Sequence, residues 1–249
     1  MESTSEIGSK KKDNLYIILC SIFITNAVLA EIIGVKIFSF ERTIGVSPAQ
    51  IQIYKDYVLD FNLTAGVVIW PFVFIFTDVI NEYFGRKGVR KISIITAVLI
   101  CYVFFIVWTV TELEPAQFWL DINSKDDQGN PFNVDFAFNR VLMQGMGIMV
   151  GSVTAFLVGQ LLDAWVFHRL KTITGSKMIW LRATGSTMIS QFIDSFLVLF
   201  IAFYFFSNWP IEQVISVGVI NYIYKVGAAI LLTPLLYLAH YLIDGYLKK

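Results

Sequence analysis

The sequence predicts an all-α integral membrane protein with six transmembrane helices, and three observations carry that prediction. First, 56% of the 249 residues are hydrophobic and 15% are charged, with a mean hydropathy of +0.66, whereas a soluble domain is nearer a quarter charged. Second, six stretches, 15–35, 62–81, 91–111, 140–168, 179–207 and 213–243, are apolar over the roughly 20 residues that a helix needs to cross a bilayer core. No backbone crosses lipid with its polar groups unpaired, so runs of this length must be helical. Third, charge is segregated. Thirteen of the 19 Lys and Arg fall in the N-terminal tail, the second-to-third loop (Arg86, Lys87, Arg90, Lys91), the fourth-to-fifth loop (Arg169, Lys171, Lys177, Arg182) and the C-terminus. The other loops carry five, Lys36, Arg42, Lys55, Lys125 and Arg140. The positive-inside bias puts both termini in the cytosol.

Residues 1–14, MESTSEIGSKKKDN, read as a cytosolic tail, 15–243 as one membrane domain and 244–249 as a second tail. The first apolar run is too long for a signal-peptide core and has no clear cleavage site behind it, so it reads as a retained span. Residues 39–60 suggest an external loop or short surface helix. In the second span Pro71 removes one backbone hydrogen bond and is expected to kink the helix. The acidic, polar loop 112–139 falls outside. In the fourth span Gly147, Gly151, Ala155, Gly159 and Asp163 recur every four residues, a pattern that lets helices approach closely. Three spans per half would make the halves inverted if they are repeats. Only Thr77-Asp78 and Thr187 with Asp194 hint at such a repeat, and chance produces that similarity easily.

The polar residues inside these spans are the candidate site. Phe74, Asp78, Asn81 and Glu82 share one helix face. Asn81 and Glu82 sit near the cytosolic interface, where Arg86 or Lys87 could pair with the carboxylate, while Asp78 lies a turn deeper. A carboxylate within an apolar span costs about 2.5–3.5 kcal/mol on insertion scales, so a ligand path or a polar network is expected around it. Gln160 and Asp163 close the small-residue seam, and Arg169 is a possible partner for Asp163. Thr184, Thr187, Gln191 and Asp194 share a face of the fifth span. Asn221, Tyr222, Tyr224 and Lys225 lie well inside the sixth. Asp194 and Lys225 have opposite sign at similar depth, so they are expected to pair. The first span adds Asn26, and Glu31 close to the outer surface, where it reads as ordinary interface.

Carboxylates, amides, one ammonium and 16% aromatics suit a flat, nitrogen-rich ligand. A carboxylate accepts two hydrogen bonds from adjacent ring N–H and amino groups, and aromatic faces such as Trp70 and Phe74 stack on a ring. A zero net charge points away from nucleic acid. Cys20 and Cys101 have no metal or disulfide spacing, and no cofactor or metal is expected. There is no GxxxxGK[ST], HExxH or GxSxG, so neither an ATP site nor two common membrane-enzyme chemistries are encoded. His168 and His240 read as interfacial.

Four blocks resemble the queuosine-precursor transporters, also called the vitamin uptake transporter family. They are PFVFIFTDVINEYFGRKGVRK, GQLLDAWVFHRLK, STMISQFIDSFLVLFIAF and NYIYKVGAAILLTPLLY, in order and at matching span positions. The resemblance implies a six-helix importer of the bacterial inner membrane, not an enzyme, that takes up 7-deazaguanines such as preQ0 and preQ1 for queuosine in tRNA. The positions that match are Asp78, Gln160, Asp163, Thr187, Asp194 and Lys225.

The expected partners are therefore a 7-deazapurine and the lipid bilayer, with a single chain and a homo-oligomer both open. Asp78, Asp194 and Gln191 are expected to bond the base edge, Trp70 and Phe74 to stack on it, and Lys225 to hold Asp194 ionised, with Asn26, Gln160, Asp163, Thr187 and Asn221 completing the lining. The alternative within transport is the substrate-binding subunit of an ATP-driven vitamin or nucleobase uptake complex. An intramembrane enzyme would need a nucleophile–base pair or a metal site, which the sequence lacks. A structural protein would tolerate loss of the buried carboxylates.

Overall fold

The computed structural model describes residues 4–34, 36–54, 57–143, 146–175, 177–205 and 208–248. Lys55 and Lys249 of the charge pattern lie outside them, as does the side-chain environment of Gly147. The order is α1 (Thr4–Ile33), β1 (Ile37–Ser39), α2 (Phe40–Thr43), β2 (Ile51–Tyr54), β3 (Tyr57–Leu59), β4 (Asn62–Thr64), a 3-10 turn (Ala65–Val68), α3 (Trp70–Thr111), α4 (Gln117–Ile122), α5 (Val134–Met143), α6 (Met146–Thr174), α7 (Ile179–Leu199) with a π-helical extension (Phe200–Phe205), and α8 (Ile211–Lys248). Among the described residues four helices are long and apolar enough to cross a membrane: Lys10–Ile33, Trp70–Thr111, Ile179–Phe205 and Ile211–Leu247. Their outward faces carry Val98, Tyr102 and Phe105 on α3 and Leu231, Tyr241 and Leu242 on α8, all exposed, as a lipid-facing surface requires. This is a helical membrane protein.

The 42 residues of α3 would measure about 63 Å as a straight helix, twice a bilayer core. They do not run straight. Gly85 has φ +67° and ψ −175° inside the helix, a left-handed conformation that glycine adopts without a Cβ penalty. Trp70 and Phe104, on opposite sides of Gly85, line the same cavity, although a straight helix would hold them about 50 Å apart. The two arms of α3 therefore fold back on each other.

The second predicted span starts too early. Residues 62–68 form β4 and the 3-10 turn instead of α-helix. β4 pairs antiparallel with β1 (Ile37↔Thr64, Phe38↔Leu63), which satisfies the backbone that a helix would otherwise satisfy. Leu63 and Val67 pack beneath it against Ile220 of α8. Pro71 consequently falls in the first turn of α3, where its missing N–H has no intrahelical partner to lose, and the predicted kink is absent there. Within 39–60, expected as an external loop or short surface helix, the short helix α2 (Phe40–Thr43) is followed by an antiparallel pair, β2 with β3 (Ile51↔Leu59), that hydropathy does not register. Glu41 is the anchor of this small β layer. It is buried and accepts hydrogen bonds from Ala49 N at 2.9 Å, Phe61 N at 3.1 Å and Ser39 Oγ at 3.1 Å. These donors, Ala49 first, hold its carboxyl below the usual carboxylate range.

The bundle core joins Phe23 of α1, Val73, Ile80, Ile92 and Ile100 of both α3 arms, and Phe167 of α6. α6 packs most extensively on α7, and α3 lies against α6 and α1. In lipid such helices gain no hydrophobic drive toward one another, so close packing and hydrogen bonds must hold them. Gly218 supplies the closest approach, since a Cβ there would lie 2.8 Å from the Phe196 ring of α7, and Gly159 of α6 brings its helix within 3.4 Å of the Asp194 side chain.

Candidate functional site

Two cavities meet inside the bundle, and Trp70 and Lys225 line both. The smaller, about 30 Å³, lies toward Gly85 and takes Phe74, Asp78 and Thr187 into its wall. The larger, about 110 Å³, lies toward the β layer and is lined by Glu31, Asp194, Ser195 and Asn221 among apolar and aromatic residues. Helix spacing explains the convergence. The first arm of α3 turns Trp70, Phe74 and Asp78, spaced by four, along one face, and α8 brings Lys225 across from Asp194 of α7.

The expected ion pair is formed. Lys225 Nζ lies 2.5 Å from Asp194 Oδ2, and both side chains are mostly buried. Trp70 stacks on Phe74 with ring centroids 6.0 Å apart and packs against Phe156 at 5.8 Å. The result is an aromatic wall beside a hydrogen-bonded charge pair.

Between α3, α6 and α7 runs a second set of polar groups. Thr77 Oγ1 donates to Gln160 Oε1 at 2.8 Å, Asn81 Nδ2 to the Ala164 carbonyl at 3.4 Å, and Ser190 Oγ to Asp163 Oδ1 at 3.1 Å. Several neighbours have no protein partner: Asp78 Oδ1, Asp163 Oδ2, and both amide atoms of Gln191, which is fully buried. A buried polar group without a partner costs about 1–3 kcal/mol, so these groups weaken the fold unless something bonds them.

The end near Gly85 is built differently. Glu82 accepts from Lys171 Nζ and from Arg182 Nη2, both at 3.1 Å. Arg182, 1% exposed in the first turn of α7, also donates to the Gly175 and Lys177 carbonyls. Tyr83 Oη donates to Asp244 Oδ1 at 2.7 Å, and its ring stacks on His240, whose Nδ1 lies 3.0 Å from that hydroxyl. The partner of Glu82 is thus neither Arg86 nor Lys87. Gly85 turns the chain between them, and both basic residues are exposed.

Of the sequence candidates, Trp70, Phe74, Asp78, Thr187, Asp194, Asn221 and Lys225 line the cavities. Gln160, Asp163 and Gln191 sit in the adjoining seam, and Asp163 bonds Ser190 of α7, not Arg169. Asn26 stands apart, donating to the Ile22 carbonyl of its own helix. Sequence reasoning missed Glu31 as part of the lining. Its carboxylate accepts a hydrogen bond from Ser152 of α6 and faces the larger cavity.

Residues 64–239 match the family described as "Putative vitamin uptake transporter". Three curated relatives are similar over most of the chain. A "Probable queuosine precursor transporter" of Bacillus subtilis is 29% identical, across 79% of this chain and 80% of its own. A protein of the same description from Haemophilus influenzae is 26% identical across 93% and 89%. The "Queuosine precursor transporter" of Escherichia coli is 30% identical across 68% of each. No solved structure matches the chain.

Proposed function

Because the chain belongs to the vitamin uptake transporter family, we propose that it imports queuosine precursors, 7-deazaguanines such as preQ0 and preQ1, across a bacterial inner membrane for salvage into tRNA. The observation that carries this reading is the pair of cavities that share Trp70 and Lys225, where an aromatic wall and a charge pair lie beside polar atoms that the fold leaves unbonded. Trp70 and Phe74 stack on the base. Asp78 and Asp194 accept hydrogen bonds from its ring N–H and amino groups, two donors matched to two carboxylate oxygens. Gln191, with Gln160, Asp163, Thr187 and Asn221, binds the remaining polar edge. Lys225 keeps Asp194 charged when no base is bound.

The chain crosses the bilayer six times, with both termini in the cytosol. The two arms of α3 supply the second and third crossings and α6 the fourth. In this reading, which the positive-inside charge pattern supports, the β layer and the larger cavity lie toward the outside, and Gly85 with the Glu82 cluster toward the cytosol. A base enters at the larger cavity, passes Trp70 and Lys225, and leaves beyond Asp78. In cells that depend on exogenous preQ0 or preQ1, Asp194→Asn is expected to abolish queuosine in tRNA. Normal queuosine at normal expression of the variant contradicts the role of Asp194.

A further inference from the structure

The two acidic groups of the larger cavity are partnered unequally. Asp194 is matched by Lys225 at 2.5 Å. Glu31 shares the cavity and is bonded only by the neutral Ser152 hydroxyl, while its Oε1 is buried with no partner. Among the described residues no cation pairs with Glu31. A buried carboxyl ionises only at a cost, which a cation joining it offsets. Two further oxygens, on residues that line the same cavity from α8 and α7, are also unbonded: Asn221 Oδ1, on a residue 8% exposed, and Ser195 Oγ, on a fully buried one.

We propose that Glu31, Asn221 and Ser195 form a subsite for an alkylammonium group on the incoming base, so that the protein selects amine-bearing 7-deazaguanines over neutral ones. The proposal rests on the reading of the chain as a 7-deazaguanine importer. An ammonium offers three N–H donors and no acceptor, which matches three unbonded oxygens, one of them on a carboxyl group. Alkylamines titrate near pH 10, so the aminomethyl group of preQ1 enters as a cation. The nitrile of preQ0 is an acceptor only. Against this wall it bonds nothing from Glu31 and leaves that carboxylate unpaired, and sites built to bond a missing group discriminate strongly. The ring of the same base then lies toward Trp70 and the Asp194–Lys225 pair, which border the same cavity.

The test is uptake of labelled preQ1 and labelled preQ0 by the purified protein in liposomes, for wild type, Glu31→Gln and Asn221→Val. Wild type is expected to favour preQ1 by at least about tenfold. Glu31→Gln should lower the preQ1-to-preQ0 ratio by about tenfold or more, and Asn221→Val should lower it by less. Should Glu31→Gln misfold, competition on wild type decides: unlabelled preQ1 must block preQ0 uptake at far lower concentration than the reverse. Wild-type preference for preQ0, or equal loss of both bases in Glu31→Gln, overturns the subsite while leaving 7-deazaguanine import standing. Uptake of neither base by wild type overturns both.

Discussion

The two ends of the polar interior use the same residue types to opposite effect. Near Gly85, Glu82 has two cations and Arg182 has a carboxylate and two carbonyls, and Tyr83 is bonded to Asp244; every carboxylate there has a donor, although Arg182 Nε and His240 Nε2 are buried without a partner. Toward the middle and the β layer, Asp78, Gln191, Ser195, Asn221 and Glu31 each keep at least one buried polar atom without a partner. A network whose carboxylates are all paired fixes one arrangement of helices, whereas one that leaves buried carboxyl and amide oxygens unbonded is a weak point of the fold on its own. The difference separates a clasp that holds α3, α6 and α7 together from a surface shaped for a ligand.

The largest expected effect breaks the clasp. Arg182→Met removes the cation and leaves Glu82 with Lys171 alone, and loss of one member of a buried ion network costs about 3–5 kcal/mol. Thermal unfolding in detergent should shift down accordingly. An unchanged midpoint would show that the cluster holds nothing. The opposite region should respond in the opposite sense. Gln191→Leu deletes two unbonded amide atoms, so stability should hold or rise by up to about 1–3 kcal/mol while uptake falls at least about tenfold. Lower stability with normal uptake would make Gln191 a structural residue. The smallest effect lies at Glu41 in the β layer. Its carboxyl titrates below the ordinary carboxylate value of about 4.3. The stability it contributes is therefore present above that value and lost as pH falls through the lower folded one. Hydrogen exchange at the Ala49 and Phe61 amides should quicken below about pH 4 in wild type and be fast at all pH values in Glu41→Gln.

Much of this contrast is legible in the sequence, for a physical reason. An ionisable residue inside an apolar run is conspicuous, and two of opposite sign at similar depth can be paired on paper, as Asp194 and Lys225 are in space. Aromatic spacing on the first arm of α3 likewise places Trp70, Phe74 and Asp78 on one face. What escaped sequence reading depends on packing between distant segments. Glu31 looks interfacial on α1 alone; it becomes part of a cavity because α6 supplies Ser152 and the β layer borders that end of the bundle. Glu82 looks like a partner for Arg86 and Lys87 because they are near in sequence, but the left-handed turn at Gly85 sends those residues onto the other arm. The early start assigned to the second span fails because residues 62–64 satisfy their backbone in a strand pair with residues 37–39, a partnership that hydropathy does not register.

The most direct measurement is uptake of radiolabelled preQ1 by the purified protein alone in liposomes, comparing wild type with Asp194→Asn at equal protein. Wild type should accumulate the base and be inhibited by excess unlabelled 7-deazaguanine, and Asp194→Asn should fall at least about a hundredfold, since it removes the charge that pairs with Lys225 and turns one of the two acceptor oxygens into an N–H donor. Undiminished uptake by a folded Asp194→Asn protein would contradict the assignment of the Asp194–Lys225 cavity as the binding site.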